Sequence, residues 1–177
     1  MESNITLEDG YYGDGIISRF LISFSANYLM PLTDTKHEQR GILYNRISLG
    51  TTKLNLFSVH LSTYEDERIL AAKELCRIIS KIDSNEVIIV GGDFNVGVTR
   101  LGKGRYIFEE KERYEEYEIL QKKLKKIDNK EDTWFSELGK GCIDTIFYSE
   151  NIELIKYETI DANGTSDHNA IYTEFNI

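Results

Sequence analysis

The chain is short of cysteine, proline and cationic side chains and has no long apolar run, and each shortage excludes something. Cys76 and Cys142 are the only cysteines in its 177 residues. They have neither the paired spacing of a zinc site nor the density of a disulfide scaffold, and read as ordinary packed thiols. No segment approaches the roughly 18 consecutive apolar residues that a membrane span requires, and Met1 is followed by polar and acidic residues, unlike a secretory leader. The default expectation is a soluble, cytoplasmic chain. Lys and Arg number 21 against 30 Asp and Glu, a formal net charge of -9. Sequence-independent affinity for nucleic acid comes from Lys and Arg releasing counterions, so this balance excludes bulk coating of DNA or RNA. It leaves room for a substrate with one or two phosphates, because a divalent cation in an acidic pocket reverses the local charge.

What is present is ordinary globular material, with 41% hydrophobic and 29% charged residues and a length that suits one domain over residues 1–177. Residues 15–24 alternate between apolar and small or polar types, as a strand followed by a turn, and 27–35 continue as a loop holding the single proline, Pro31. Residues 40–49 and 53–61 read as two strands joined into a hairpin by Gly50-Thr51-Thr52, the second with Leu54, Leu56, Ser58 and His60 on one side. Ser62 and Thr63, with Glu65 and Asp66 three residues after each, offer overlapping capping boxes for a helix to about Ser80. Its apolar stripe is Ile69, Ala72, Leu75, Cys76 and Ile79. Residues 86–90 are a β-branched run ending in Gly91-Gly92, the pattern of a strand buried on both faces. Residues 109–126 keep Tyr114, Tyr117, Leu120 and Leu124 at helical spacing and present a Lys-rich end as a solvated face. Strands at 143–148, 153–159 and 170–177 complete the set. Hairpins interrupted by helices predict an α/β (α+β) domain of mixed sheets with helices outside.

Five motifs concentrate carboxylates, amides and imidazoles at strand ends: Ser58-Val59-His60-Leu61, Gly91-Gly92-Asp93-Phe94-Asn95, Asp132-Thr133-Trp134, Ile143-Asp144-Thr145-Ile146-Phe147 and Ser166-Asp167-His168. Singly they are ambiguous. Gly-Asp-Phe-Asn also describes an Asx-type turn after a buried strand, and an inward-facing His60 also describes a satisfied core histidine. Asp144 is more telling, because a carboxylate in an apolar strand is costly unless paired, and His168 is the obvious partner. The remaining histidine, His37, sits in a polar Lys36-His37-Glu38 stretch and is expected to face solvent.

Taken together, Val59-His60-Leu61, Gly92-Asp93-Phe94-Asn95, Ile143-Asp144-Thr145-Ile146 and Ser166-Asp167-His168 resemble, in this order, the motif series of the endonuclease/exonuclease/phosphatase superfamily. That superfamily includes deoxyribonuclease I, abasic-site endonucleases, neutral sphingomyelinases and inositol-polyphosphate phosphatases. Tyr12-Gly13-Asp14-Gly15-Ile16-Ile17-Ser18-Arg19-Phe20 is similar to its G-x-x-I-L-S-[KR]-[FY] strand and Arg40-Gly41-Ile42-Leu43 to its R-G-x-L strand, so the likeness runs over residues 10–175. The resemblance implies a four-layer sandwich of two mixed β-sheets flanked by helices, with an active site at one rim. The chemistry it implies is metal-assisted, in-line attack of water on phosphorus. Under it, Asp93 orients or deprotonates the water and Asn95 holds a phosphate oxygen. His168, paired with Asp144, stabilises the pentacovalent phosphorane, and His60 binds or protonates on the leaving-group side. Asp167 with Asp93 holds the metal, magnesium or alternatively manganese, and Arg40 contacts a phosphate. Phosphoester hydrolysis needs positioning and charge neutralisation more than covalent chemistry, which a hard cation, an amide and imidazoles supply.

The superfamily opens with two further strands, one ending in a W-N asparagine and the next in a Q-E glutamate that is the principal metal ligand. Neither motif is in this sequence, and Glu2 and Glu8 lie in no matching motif. The expectation is an N-terminally truncated domain missing the first two strands. Three explanations stand open: a fragment of a longer protein, a shortened inactive relative kept for binding, or a partner chain or local acid that supplies the ligand. The acidic balance favours a small or lipid-linked phosphate mono- or diester, with a DNA/RNA nuclease of the same fold and a non-catalytic binding relative as alternatives. Loops 27–41 and 96–108 are expected to set specificity. In the second, Gly97, Gly102 and Gly104 with Arg100, Lys103 and Arg105 suit either contact with an anion or a solvated loop.

Overall fold

The computed structural model describes residues 2–7, 10–102 and 105–177; Glu8, Lys103 and Gly104 lie outside them. Two strands come first, β1 (Glu2–Leu7) and β2 (Gly10–Asp14), paired as a hairpin. β3 (Ile22–Leu29), β4 (Gly41–Leu49) and β5 (Thr52–His60) follow, then α1 (Glu65–Ile79) and β6 (Val87–Asp93). The hairpin β7 (Val98–Gly102) and β8 (Arg105–Phe108) precedes a short α2 (Glu115–Gln121) and β9 (Lys125–Lys126). β10 (Trp134–Ser136) and β11 (Gly139–Gly141) make another hairpin, and β12 (Asp144–Tyr148), β13 (Glu153–Ile160) and β14 (Ala170–Asn176) complete the order.

One mixed sheet, β3-β4-β5-β6-β12-β9, carries the core. Only β5 and β6 run parallel, because α1 crosses between them and returns the chain in the same direction. On one face Phe57, Val59, Ile88, Val90 and Phe147 pack against Ala72, Leu75 and Ile79 of α1 and Leu120 of α2. On the other, Leu54, Val87, Ile89, Ile146 and Tyr148 meet Leu154, Ile171 and Phe175 of β13–β14. Successive residues of β6 thus enter two different cores, which is why its sequence is a continuous apolar run. The β1–β2 hairpin covers the same side of β5 as β13–β14 covers further along, with Asp14 reaching Ser58 and Tyr12 reaching His60. The sandwich is therefore built of helices, a mixed sheet, and a second strand layer that consists, among the described residues, of two separate antiparallel hairpins. α1 and α2 are tied by a buried ion pair in which Arg68 Nε donates to Glu116 Oε1 at 2.6 Å.

Several local expectations are corrected. Of residues 15–24, those at 15–21 have no ladder partner among the described residues and 22–24 open β3, to which residues 27–29 also belong rather than to a loop. Residues 98–102 and 105–108 are the paired strands β7 and β8, not an open loop. Neither Ser62 nor Thr63 caps α1, whose N-cap is Tyr64 with no side-chain cap bond. The Ser62 hydroxyl accepts from Tyr64 N and donates to Glu67 Oε2 instead. α2 is shorter than 109–126, since the chain must leave the helix for β9 to pair with β12. His37 does not face solvent freely: its ring stacks on Tyr64 at 3.6 Å, and Nδ1 lies 2.7 Å from the buried Glu67 Oε1. The same oxygen accepts from Thr33 N and Thr33 Oγ1, which fastens the segment before Arg40 to α1.

Candidate active site

The strand register assembles the site. His60, the last residue of β5, pairs with Asp93, the last of β6, and Asp93 pairs in turn with Asp144, the first of β12. Directly opposed residues point to the same face. One imidazole and two carboxylates therefore stand in a row across three adjacent strands, at the carboxyl ends of the parallel pair.

Local geometry explains the residue types around Asp93. Gly92 has φ 146°, and a Cβ there would overlap the backbone carbonyl of Val59, so β5 and β6 approach this closely only with glycine. Asn95 takes a left-handed φ of 49°, which Asn tolerates better than most residues. Its backbone N–H donates to Asp93 Oδ1 at 2.8 Å, and its side-chain amide donates to Asp93 Oδ2 and to the carbonyl of Leu61. The Gly-Asp-Phe-Asn segment forms the turn that the sequence left open, and its Asp93 and Asn95 both line one cleft.

Asp144 Oδ2 lies 2.8 Å from His168 Nδ1. Thr133 Oγ1 accepts the backbone N–H groups of Ile143 and Asp144 and so fixes the strand end. The loop that carries His168 is held by backbone bonds from Phe135 N to the Asp167 carbonyl and from Asn169 N to the Thr133 carbonyl. Burial opposes protonation of His168, but the Asp144 hydrogen bond and charge, with Asp93 and Asp167, outweigh it and raise its pKa.

These groups open into a cleft of about 370 Å³ lined by Arg40, His60, Asp93, Asn95, Asp167 and His168, with Tyr106 and Trp134 among its walls. Every residue singled out from the sequence lines this cleft except Asp144, which stands behind His168. Burial, reinforced by Asp144, pushes Asp93 up to about 7, while burial, with Arg40 and His168, takes His60 down to about 3. The His60 Nε2 to Asp93 Oδ2 contact of 3.2 Å is thus a contact between groups driven toward their neutral forms, not a strong ion pair. Sequence reasoning missed two participants. Tyr12 places its hydroxyl 2.9 Å from His60 Nδ1 and accepts from Arg40 Nη1 at 3.3 Å; its only signal was its place in the G-x-x-I-L-S-like stretch. Thr133 was quoted within a motif but given no role.

The oxygen donors suit a hard cation. Asp93 is held high by burial and then by the charge of Asp144, both of which a dication would offset, and Asp167 faces the same cleft. Among the described residues no three His, Cys, Asp or Glu side chains converge as a cage. A magnesium ion commonly takes only one or two carboxylates and keeps much of its water.

The layers and this rim define the class: the chain has the endonuclease/exonuclease/phosphatase fold. The sequence matches no family model and no curated protein sequence. An endonuclease/exonuclease/phosphatase from Bacteroides vulgatus is similar with a TM-score of 0.69 at 16% identity, over 89% of this chain and 66% of that one. Zebrafish (D. rerio) TDP2 complexed with single-strand DNA product gives 0.65 at 19%, over 89% and 68%. A mannosyl-6-phosphatase from Bacteroides thetaiotaomicron gives 0.64 at 15%, over 89% and 67%. The chain spans about two thirds of the length of these structures.

Proposed function

We propose that the chain carries the catalytic rim of a phosphoesterase that hydrolyses a phosphate mono- or diester by in-line attack of water. The observation that carries this reading is the His60–Asp93–Asp144 row with His168 locked onto Asp144, all at one cleft. Asp93, with a pKa near neutrality, is suited to orient the water and take its proton. Asn95 and Arg40 are placed to hold phosphate oxygens. His168, whose pKa the Asp144 hydrogen bond and charge raise against burial, faces the charge that develops on phosphorus, and His60 serves the leaving-group side. Asp167 and Asp93 would hold a magnesium or manganese ion, which when bound supplies charge neutralisation at the phosphate.

A small phosphorylated compound or a lipid head group is the favoured substrate, because Arg40 is the one Lys or Arg among the described residues that line the cleft. The likeness to TDP2 bound to a DNA product favours a second reading, a nuclease. The test is hydrolysis of bis(p-nitrophenyl) phosphate by this chain with and without magnesium, beside His168→Ala. Turnover that needs both supports the reading, with the variant lower by about 10²–10³. Binding of phosphate by a folded sample without turnover supports the non-catalytic relative instead. Salt-sensitive cleavage of single-stranded DNA would favour the nuclease.

A further inference from the structure

One direction satisfies every hydrogen bond on the β2 side of His60. Arg40 carries donors and no acceptor, so its 3.3 Å contact makes the Tyr12 oxygen an acceptor. The single hydroxyl proton of Tyr12 then has His60 Nδ1, at 2.9 Å, as its acceptor among the described residues. The opposite side of the ring agrees with this arrangement when Asp93 is ionised, the form that takes a proton from water: His60 Nε2 lies 3.2 Å from Asp93 Oδ2, and a lone pair there would face the lone pairs of the carboxylate. Tyr12 also meets the ring edge-on, at 6.0 Å between centroids and 64° between planes, which restricts rotation of the imidazole.

We propose that Tyr12 is a positioning residue that acts through His60, holding the imidazole as the tautomer protonated on Nε2 and aiming that proton at Asp93. The direction runs from Arg40 to Tyr12, to His60, to Asp93. A tyrosine in this place orients the ring without adding charge, unlike the carboxylate that orients His168. The consequence for the site, which rests on the reading proposed above, concerns Asp93. An ionised carboxylate offers about four acceptor positions. Oδ2 receives His60 Nε2–H and the Asn95 amide, and Oδ1 receives the Asn95 backbone N–H. The position left, on Oδ1, is the one open to the water or to the cation. Tyr12 thereby determines, through His60, which oxygen of Asp93 stays open to either.

The test is the ¹⁵N pattern of the His60 imidazole in the ¹⁵N-histidine-labelled chain at neutral pH, assigned by its disappearance in His60→Gln. The expected result is an unprotonated, pyridine-like Nδ1 and a protonated, pyrrole-like Nε2. In Tyr12→Phe the two shifts should move toward each other as the tautomers mix, while those of His37 and His168 stay in place. A protonated Nδ1 in the parent, or an unchanged His60 pattern in Tyr12→Phe, overturns the proposal. The parent spectrum decides the tautomer even if that variant fails to fold. Where the parent turns over bis(p-nitrophenyl) phosphate, Tyr12→Phe should lower kcat by about 10–100-fold with little change in KM. Absence of turnover in the parent would count against the phosphoesterase reading alone and leave the tautomer result standing.

Discussion

Asp93 and His60 shift in opposite directions, and their effects on the pH dependence of stability nearly cancel. Asp93 moves from 3.8 to about 7 and His60 from 6.5 to about 3. Between roughly pH 4 and 6.5 the unfolded pair is carboxylate plus imidazolium, and the folded pair is carboxylic acid plus imidazole. Both states bind the same number of protons, so the pair contributes almost no slope of stability with pH. Single substitutions unmask the two halves. Asp93→Asn leaves the depressed His60, whose contribution is present above its unfolded value and lost as pH falls toward 3. His60→Gln leaves the raised Asp93, whose contribution is present below 3.8 and lost as pH rises toward 7. Melting temperatures measured over this range in a chelator should therefore slope in opposite directions for the two variants. Parallel slopes would refute the assignment. At this scale the sequence was informative where chemistry forces a partner. A carboxylate in the apolar Ile143-Asp144-Thr145-Ile146 strand had to find a cation or donors, and His168 is there. It was uninformative where the partner is neutral or distant. Nothing local marks Tyr12 as the neighbour of His60, 48 residues on, and His37 is polar in its own segment but stacked by Tyr64 from a helix.

The elements transmit two constraints that can be measured. Gly92→Ala should destabilise the fold by about 2–4 kcal/mol in urea denaturation, because the added methyl meets the Val59 carbonyl and the β5–β6 pairing cannot yield. Glu116→Gln should cost about 3–5 kcal/mol by leaving Arg68 buried against a neutral amide. Arg68→Met with Glu116→Leu should recover most of that loss, since it also removes the Glu116 Oε2 atom that has no hydrogen-bond partner among the described residues. If the double variant is as unstable as the single, the pair contributes net stability and this argument fails. Period and punctuation made β4, β5, β6 and α1 legible, since each pattern matches one packed face. The β7–β8 hairpin was not, because glycine and arginine carry little strand signal and its pairing is decided by packing against Trp134 and Ile143. The Ser62 capping box failed because Glu67 offered its hydroxyl a stronger, charged acceptor.

For the whole molecule, the second strand layer matters most. β1–β2 and β13–β14 are each two strands wide; Ile155 and Ile160 are exposed on β13, and Ile17 and Leu21 in the stretch between β2 and β3. Unpaired edges beside apolar side chains favour association. The chain should bind an apolar dye and sediment with a concentration-dependent mass, and Ile17→Ser with Ile155→Thr should weaken both. A dye-silent monomer across the concentration range would contradict this. That the sheet is mixed and carries helices was readable from the order of hairpins and helices; how the opposite layer is divided was not, since it depends on contacts between distant segments.

The shared row of His60, Asp93 and Asp144 makes the site a property of chain length as much as of composition. Adding or deleting a single residue in β5, β6 or β12 would swing one member of the row through the sheet to the helix side, while every amino acid needed for the chemistry was still present. The exposed part of the rim hairpin β7–β8, about Arg100, Leu101 and Arg105, lies outside the packing of Val98 on Trp134 and Ile143 and has no such constraint. A library of single-residue insertions and deletions should therefore be tolerated in bands: accepted at that exposed end and rejected within the three strands, whatever residue is added.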